Sequence, residues 1–206
     1  MKIIFTFFLL NSIFFLNAQE VGSFTDERDG NVYSFVAYTI HLSDGSQSTL
    51  AWMSENLKYN MEKSRCYDNS ETDCDPYGRQ YMYLEAIKAC PKGWHLPSDD
   101  EWYSLANMYG GVSSAGQHLK SKSPLWNKGM GTNKGLFNAI PNQPLKGHNI
   151  KGMPQPQPEA IFWSSTSKDA EYAWDWKLVA SWNKIQRWKA SKKTFNCVRC
   201  VKNTSL

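Results

Sequence analysis

Three groups of side chains in this sequence are of types and spacings that do chemistry. The stretch "CPKGWHLPSDDEW", Cys90 to Trp102, places a thiol, an imidazole (His95) and three consecutive acids (Asp99, Asp100, Glu101) within thirteen residues. Paired carboxylates there would suit glycoside hydrolysis, and His95 would suit a base or metal ligand. "CVRC" sets Cys197 and Cys200 at redox or metal spacing. Trp174, Trp176, Trp182, Lys184, Arg187 and Trp188 offer flat apolar faces to sugar C–H groups and cations to acidic sugars or protein carboxylates.

Each group also has a structural use. Consecutive helical residues diverge by about 100° each, so Asp99, Asp100 and Glu101 cannot form a carboxylate pair among themselves. They suit a helix start, where negative charge is favoured. No serine or cysteine stands at nucleophile spacing from His95, and between Trp94 and Leu96 it reads as a structural donor. A strand cysteine pair lacks the helix N-terminus that activates redox pairs, and "CVRC" has no second ligand pair. The aromatic hairpin is therefore the candidate ligand surface. Trp174 and Trp176, two apart, share one strand face and are expected in the core, while Trp182 is expected exposed at a turn tip.

The elements that must hold these groups follow from periodicity. Val32, Ser34, Val36, Tyr38 and Ile40 alternate as a strand after an Asp29-Gly30 turn, and "TLAWMSENLKY" resumes it beyond "SDGSQS", forming a hairpin. Tyr83, Ile87 and Cys90 lie at i, i+4 and i+7, which predicts a helix burying that face and stopped by Pro91 and Gly93. Ser98 and Glu101 form a capping box for a second helix that ends at Gly110-Gly111. Ala115 to Glu159 has no sustained period and reads as a long loop held by Trp126 and Phe137. "AIFWSSTS" is a buried strand, "EYAWDWKLVASWNKIQRWKAS" a hairpin turning at Ser181 to Lys184, and "TFNCVRCVK" the last strand. Early helices and strands at both ends indicate α+β, with the terminal strands in one sheet.

The first residues, "MKIIFTFFLLNSIFFLNAQE", have the layout of a secretory signal peptide cleaved after Ala18. Residues 19–206 are expected to form a single domain, and no later apolar run is long enough to span a membrane. Residues 19–119 hold 7 Lys and Arg against 15 Asp and Glu, whereas 120–206 hold 15 against 4. The basic half could steer a polyanion, although within one domain the halves can neutralise each other. No nucleic-acid-binding motif is present. Five cysteines in an exported chain imply two bridges and one thiol over. Cys66 and Cys74 enclose a short polar turn and suit a local bridge. Cys90 needs a partner from the C-terminal pair, and the residues alone leave Cys197 and Cys200 both open.

Taken together, "DGNVY", "WMSENLKY", "CYDN", "YGRQYMYLEAIKACPKGWHLPSDDEW", "FWSST" and "VRCV" closely resemble the Fibrobacter succinogenes major paralogous domain family, secreted proteins of Bacteroidetes and Fibrobacteres that generally lack an assigned activity. The match runs from about Asp29 to Lys202. The family is similar to the C-type-lectin-like fold superfamily, which implies two helices packed on a small antiparallel sheet, adjacent termini and a long irregular loop region. Tyr83, Ala86 and Cys90 take the positions of that fold's "W-x-x-A…C" helix. The resemblance implies a Cys90–Cys200 bridge with Trp94 and Leu96 in the core, and leaves Cys197 as a free thiol. Calcium-dependent members carry carboxylates and amides where this chain has "QPE" (Gln157–Glu159) and "WNK" (Trp182–Lys184), so neither calcium nor another cofactor is expected. Formylglycine-generating enzymes share the superfamily, but their paired cysteines are unavailable if Cys200 is bridged. The first hairpin is longer than usual, with an extended turn at Asp44-Gly45.

The reading is a secreted or cell-surface module without catalytic function. Its expected ligand is a glycan, with a surface protein as the alternative partner and a cysteine- or carboxylate-dependent enzyme third.

Overall fold

The computed structural model describes residues 19–41, 47–66, 74–129, 131–142 and 157–204. The signal segment, the Asp44-Gly45 turn and the whole loop between Cys66 and Cys74 lie outside them.

Strands β1 (Gln19–Thr25), β2 (Val32–His41) and β3 (Gln47–Met53) form an antiparallel meander. The β1–β2 turn closes through Gly30, whose N–H donates to Asp26 O at 2.8 Å with φ at 75°. Apolar residues are sparse in β1, so its sequence carries no strand signal. Strand β4 (Ser64–Arg65), α1 (Cys74–Tyr77), β5 (Gln80–Tyr81), α2 (Tyr83–Ala89) and α3 (Asp99–Asn107) follow. Within the long loop region lie α4 (Ala115–Leu119) and two 3-10 turns over Pro124–Gly129 that break at Asn127 (φ 52°). Strands β6 (Glu159–Ser167), β7 (Tyr172–Val179), β8 (Ile185–Ser191), β9 (Asn196–Cys197) and β10 (Val201–Thr204) complete the chain.

The result is α+β, with two sheets and four short helices among the described residues instead of two helices on one sheet. One sheet runs β1-β2-β3-β10, the other β4-β5-β9-β6-β7-β8. Pairing is antiparallel except for the β6–β9 bridge at Phe162 and Cys197. "TFNCVRCVK" is thus two strands in different sheets. Val198, Arg199 and Cys200 cross between them, and the carbonyls of the first and last are used: Leu57 N–H donates to Val198 O (2.9 Å) and Met53 N–H to Cys200 O (3.1 Å). Cys90 and Cys200 are bridged at this crossing, as are Cys66 and Cys74 near α1.

Because adjacent strand residues face opposite ways, Phe162 and Trp163 of β6 anchor two separate cores. Phe162 joins Trp52, Trp102, Trp126, Phe137 and Trp176, while Trp163 joins Tyr33, Tyr81, Tyr83 and Val198. Trp126 and Phe137 are fully buried, so the loop region is held by its own aromatics. Two indole N–H groups reach backbone carbonyls, Trp163 to Tyr81 O (2.7 Å) and Trp126 to Ala139 O (3.0 Å). Trp102 Nε1 has no acceptor among the described residues.

Helix α3 starts as its sequence dictates: Ser98 Oγ accepts from Glu101 N–H and Glu101 carboxylate accepts from Ser98 N–H. Helix α2 does not bury its expected face. Tyr83, Ala86 and Ala89 point inward, and Ile87 is 45 % exposed. The alanines let the helix backbone approach the Trp163 core closely, which a face carrying Ile87 would not. Trp94 is only half-buried, stacked on Phe24 with centroids 4.4 Å apart, whereas Leu96 is buried.

Candidate functional site

The β7–β8 hairpin gathers the aromatic and cationic residues, and its register sorts them by face. Trp174 lies opposite Lys189 and Trp176 opposite Arg187, on one face; Asp175 lies opposite Trp188 and Lys177 opposite Gln186, on the other. Trp176 is in the core, where its indole N–H donates to Asp99 Oδ1 (2.9 Å). Arg187 Nε lies 2.6 Å from Asp99 Oδ2, its N–H not aimed along that line, so the contact is a charge pair rather than a directed hydrogen bond. Asp99 therefore fastens α3 to the hairpin. Glu101 is occupied by the helix cap and by His95 Nε2 at 2.7 Å. That contact holds the His95 pKa above, and helps hold the Glu101 pKa below, its ordinary value.

Trp174 is half-buried, with the Arg187 guanidinium 3.5 Å from its ring centroid. Trp182 is not the exposed tip that its turn position suggests. The loop region packs onto residues 180–184: Gln117 N–H donates to Asn183 O (3.1 Å), Ile185 N–H donates to Val112 O (2.9 Å), and a Cβ on Gly116 would fall 2.2 Å from Lys184 O. Lys120, buried, donates from Nζ to Val179 O, Ala180 O and Trp182 O at 3.2, 2.8 and 2.9 Å. Lys184 Nζ stands 4.2 Å from the Trp182 ring centroid. The exposed indole is Trp188, 49 % accessible on β8, the outer strand of its sheet.

Cation–ring contacts continue along the hairpin, with Lys189 4.5 Å from Tyr172 and Lys177 5.6 Å from Trp188. Tyr172, Lys177 and Lys189 were not singled out by sequence, though their alternation along two paired strands carries the signal. The face carrying Trp188 offers an uncovered indole beside one ammonium donor, Lys177, an arrangement that can stack on a sugar ring and bind an acidic substituent.

Across from Trp188 on β7 stands Asp175, buried, with its carboxylate accepting from Asn196 Nδ2 at 3.1 Å. Asp175 Oδ1 and Asn196 Oδ1 are both without donors among the described residues. Burial pushes the acid up to about 6, against the pull of Lys177 and the Asn196 bond. A raised folded-state pKa means that the stability contributed is present below the ordinary carboxylate pKa and lost as pH rises through about 6. Asp175→Asn is therefore expected to stabilise the protein at pH 8 by on the order of 2 kcal/mol and to do little at pH 4. Urea unfolding of both proteins at the two pH values checks this, and an equal effect at both would refute it.

Cys197 is buried and unbridged, and burial pushes its thiol up to about 12. With Cys200 bridged to Cys90, the "CVRC" thiols are not available as a pair. No cluster of three or more His, Cys, Asp or Glu able to hold a metal occurs among the described residues, and no helix among them is long and apolar enough to cross a membrane.

A family model described as the Fibrobacter succinogenes major domain matches residues 46–202, well over half of the chain. No curated protein and no solved structure matches it.

Proposed function

The chain belongs to the Fibrobacter succinogenes major domain family, and from that premise we propose a non-catalytic recognition module, working outside the cell, that binds acidic carbohydrate without calcium at Trp188 on the β7–β8 hairpin. The first 18 residues serve as its export signal in this reading, and a C-type-lectin-like kinship accompanies it. The observation that carries the reading is an indole 49 % exposed on an outer strand, with Lys177 5.6 Å from its ring centroid. A tryptophan left uncovered costs the fold apolar burial, and carbohydrate C–H faces are a ligand class that recovers it. The two disulfides suit an oxidising compartment.

A glycan array on the oxidised protein tests this, with Trp188→Ala and Trp182→Ala alongside. Binding to uronate- or sulfate-bearing glycans is expected, weakened about tenfold by Trp188→Ala, the equivalent of roughly 1.4 kcal/mol of aromatic contact. Loss in Trp182→Ala alone would move the site to the turn. A blank array favours the second reading, a protein-binding surface module, which is supported by Leu84 (64 %) and Ile87 (45 %) exposed on the outward face of α2.

A further inference from the structure

A cleft of about 510 Å³ lies between α2, the β6–β7 turn and the turn after β8. Its size is that of small-molecule sites, which usually run from roughly 300 to 1,000 Å³. Its apolar lining residues are Met82, Leu84 and Ala170. Five charged residues of both signs line it: Lys63, Lys192 and Lys193, Glu85 and Glu171, of which Lys192 is held by Asp169 O. The side chains of Lys63, Lys193, Glu85 and Glu171 form no ion pair or hydrogen bond with another described residue.

The walls are tied to each other by backbone. Tyr83 N–H donates to Lys192 O (3.1 Å) and Lys192 N–H to Glu171 O (2.9 Å), and Lys192 Nζ reaches Asp169 O at 2.7 Å. The cleft is thus formed before any ligand arrives, which lowers the ordering cost of binding.

The charge pattern selects the ligand. An anion alone would meet Glu85 and Glu171, and a cation alone would meet Lys63 and Lys193. A molecule with one charge of each sign at its ends and an apolar middle complements all of these groups at once. We propose that this cleft binds a short peptide through its free α-ammonium and α-carboxylate, with an apolar side chain seated against Leu84. A tripeptide spans up to about 10 Å. This site stands apart from the carbohydrate reading and does not depend on Trp188.

The test is amide chemical-shift titration of the oxidised full chain with Ala-Leu-Ala, its N-acetylated form and its C-amidated form. Ala-Leu-Ala is expected to bind with Kd near 1 mM, shifting the amides of Leu84, Ala170 and Lys193, and capping either end is expected to weaken binding at least about fivefold. Leu84→Asp, at a position 64 % exposed, is expected to abolish the shifts without lowering the thermal midpoint. Trp188→Ala is expected to leave them unchanged, which separates this site from the hairpin. Capped peptides binding as well as the free one, one cap alone mattering, shifts confined to other residues, or no shifts would each overturn the proposal.

Discussion

Replacing Cys90 and Cys200 together by alanine is expected to lower the free energy of unfolding by about 4.7 kcal/mol, because the bridge they form closes a loop of roughly 100 residues and constrains the unfolded chain accordingly. The two cysteines are 110 positions apart, and the bridge joins the end of α2 to the crossing between the two sheets. Cys66 and Cys74 are only 8 apart. The same chain-entropy relation gives about 2.5 kcal/mol for their removal. The double replacements avoid mispairing with Cys197 that a single replacement would invite. Urea unfolding of the two double variants measures both. If removing the short bridge costs as much as removing the long one, loop entropy is not what these bridges supply.

Arg199→Met is expected to cost about 3–5 kcal/mol, because it leaves several buried acceptors without their donor. Arg199 is 1 % exposed and crosses from one sheet to the other. Its Nε donates to Asn56 Oδ1 (2.7 Å), its Nη1 to Met53 O (3.2 Å) and to Phe137 O, and its Nη2 to Asn138 O (3.3 Å). The guanidinium carbon lies 4.4 Å from the Phe137 ring centroid and 5.4 Å from that of Phe162. Burial pulls its pKa down to about 9, so it remains charged at pH 7, held by carbonyl dipoles and ring faces instead of a carboxylate hydrogen-bond partner. Methionine fills the space but leaves the carbonyls of Met53, Phe137 and Asn138 without this donor, and each buried unmade bond costs about 1–3 kcal/mol. Arg199→Lys should recover less than half of the loss, since one ammonium cannot span acceptors arranged for a planar fork. Urea unfolding of the two variants decides. A methionine variant within about 1 kcal/mol of the parent would mean that the loop carrying Phe137 repacks around other donors.

The parts of the molecule legible in its sequence are those decided by neighbours in the chain. Ser98 and Glu101 cap α3 because both partners lie within one helical turn, and the β2–β3 and β7–β8 hairpins follow from alternation interrupted by turn residues. The resemblance located the family, and its match ends at Lys202 as expected while beginning at residue 46 instead of near Asp29.

Which side of each element is covered follows from contacts between distant segments. Periodicity offered Ile87 for the interior of α2, but the Trp163 core admits alanine-thin contacts and turns Ile87 outward. Turn position offered Trp182 to solvent, but the loop region lies over that turn and leaves Trp188 bare. Nothing local in "CVRC" says that two strands of different sheets meet there, or that Arg199 and Lys120 would be buried cations gathering carbonyls from distant segments. The α+β class, the capped helix and the strand hairpins are readable from local residues alone. The exposed indole and the buried cations depended on contacts dozens of residues apart, for which a single sequence holds no periodic trace.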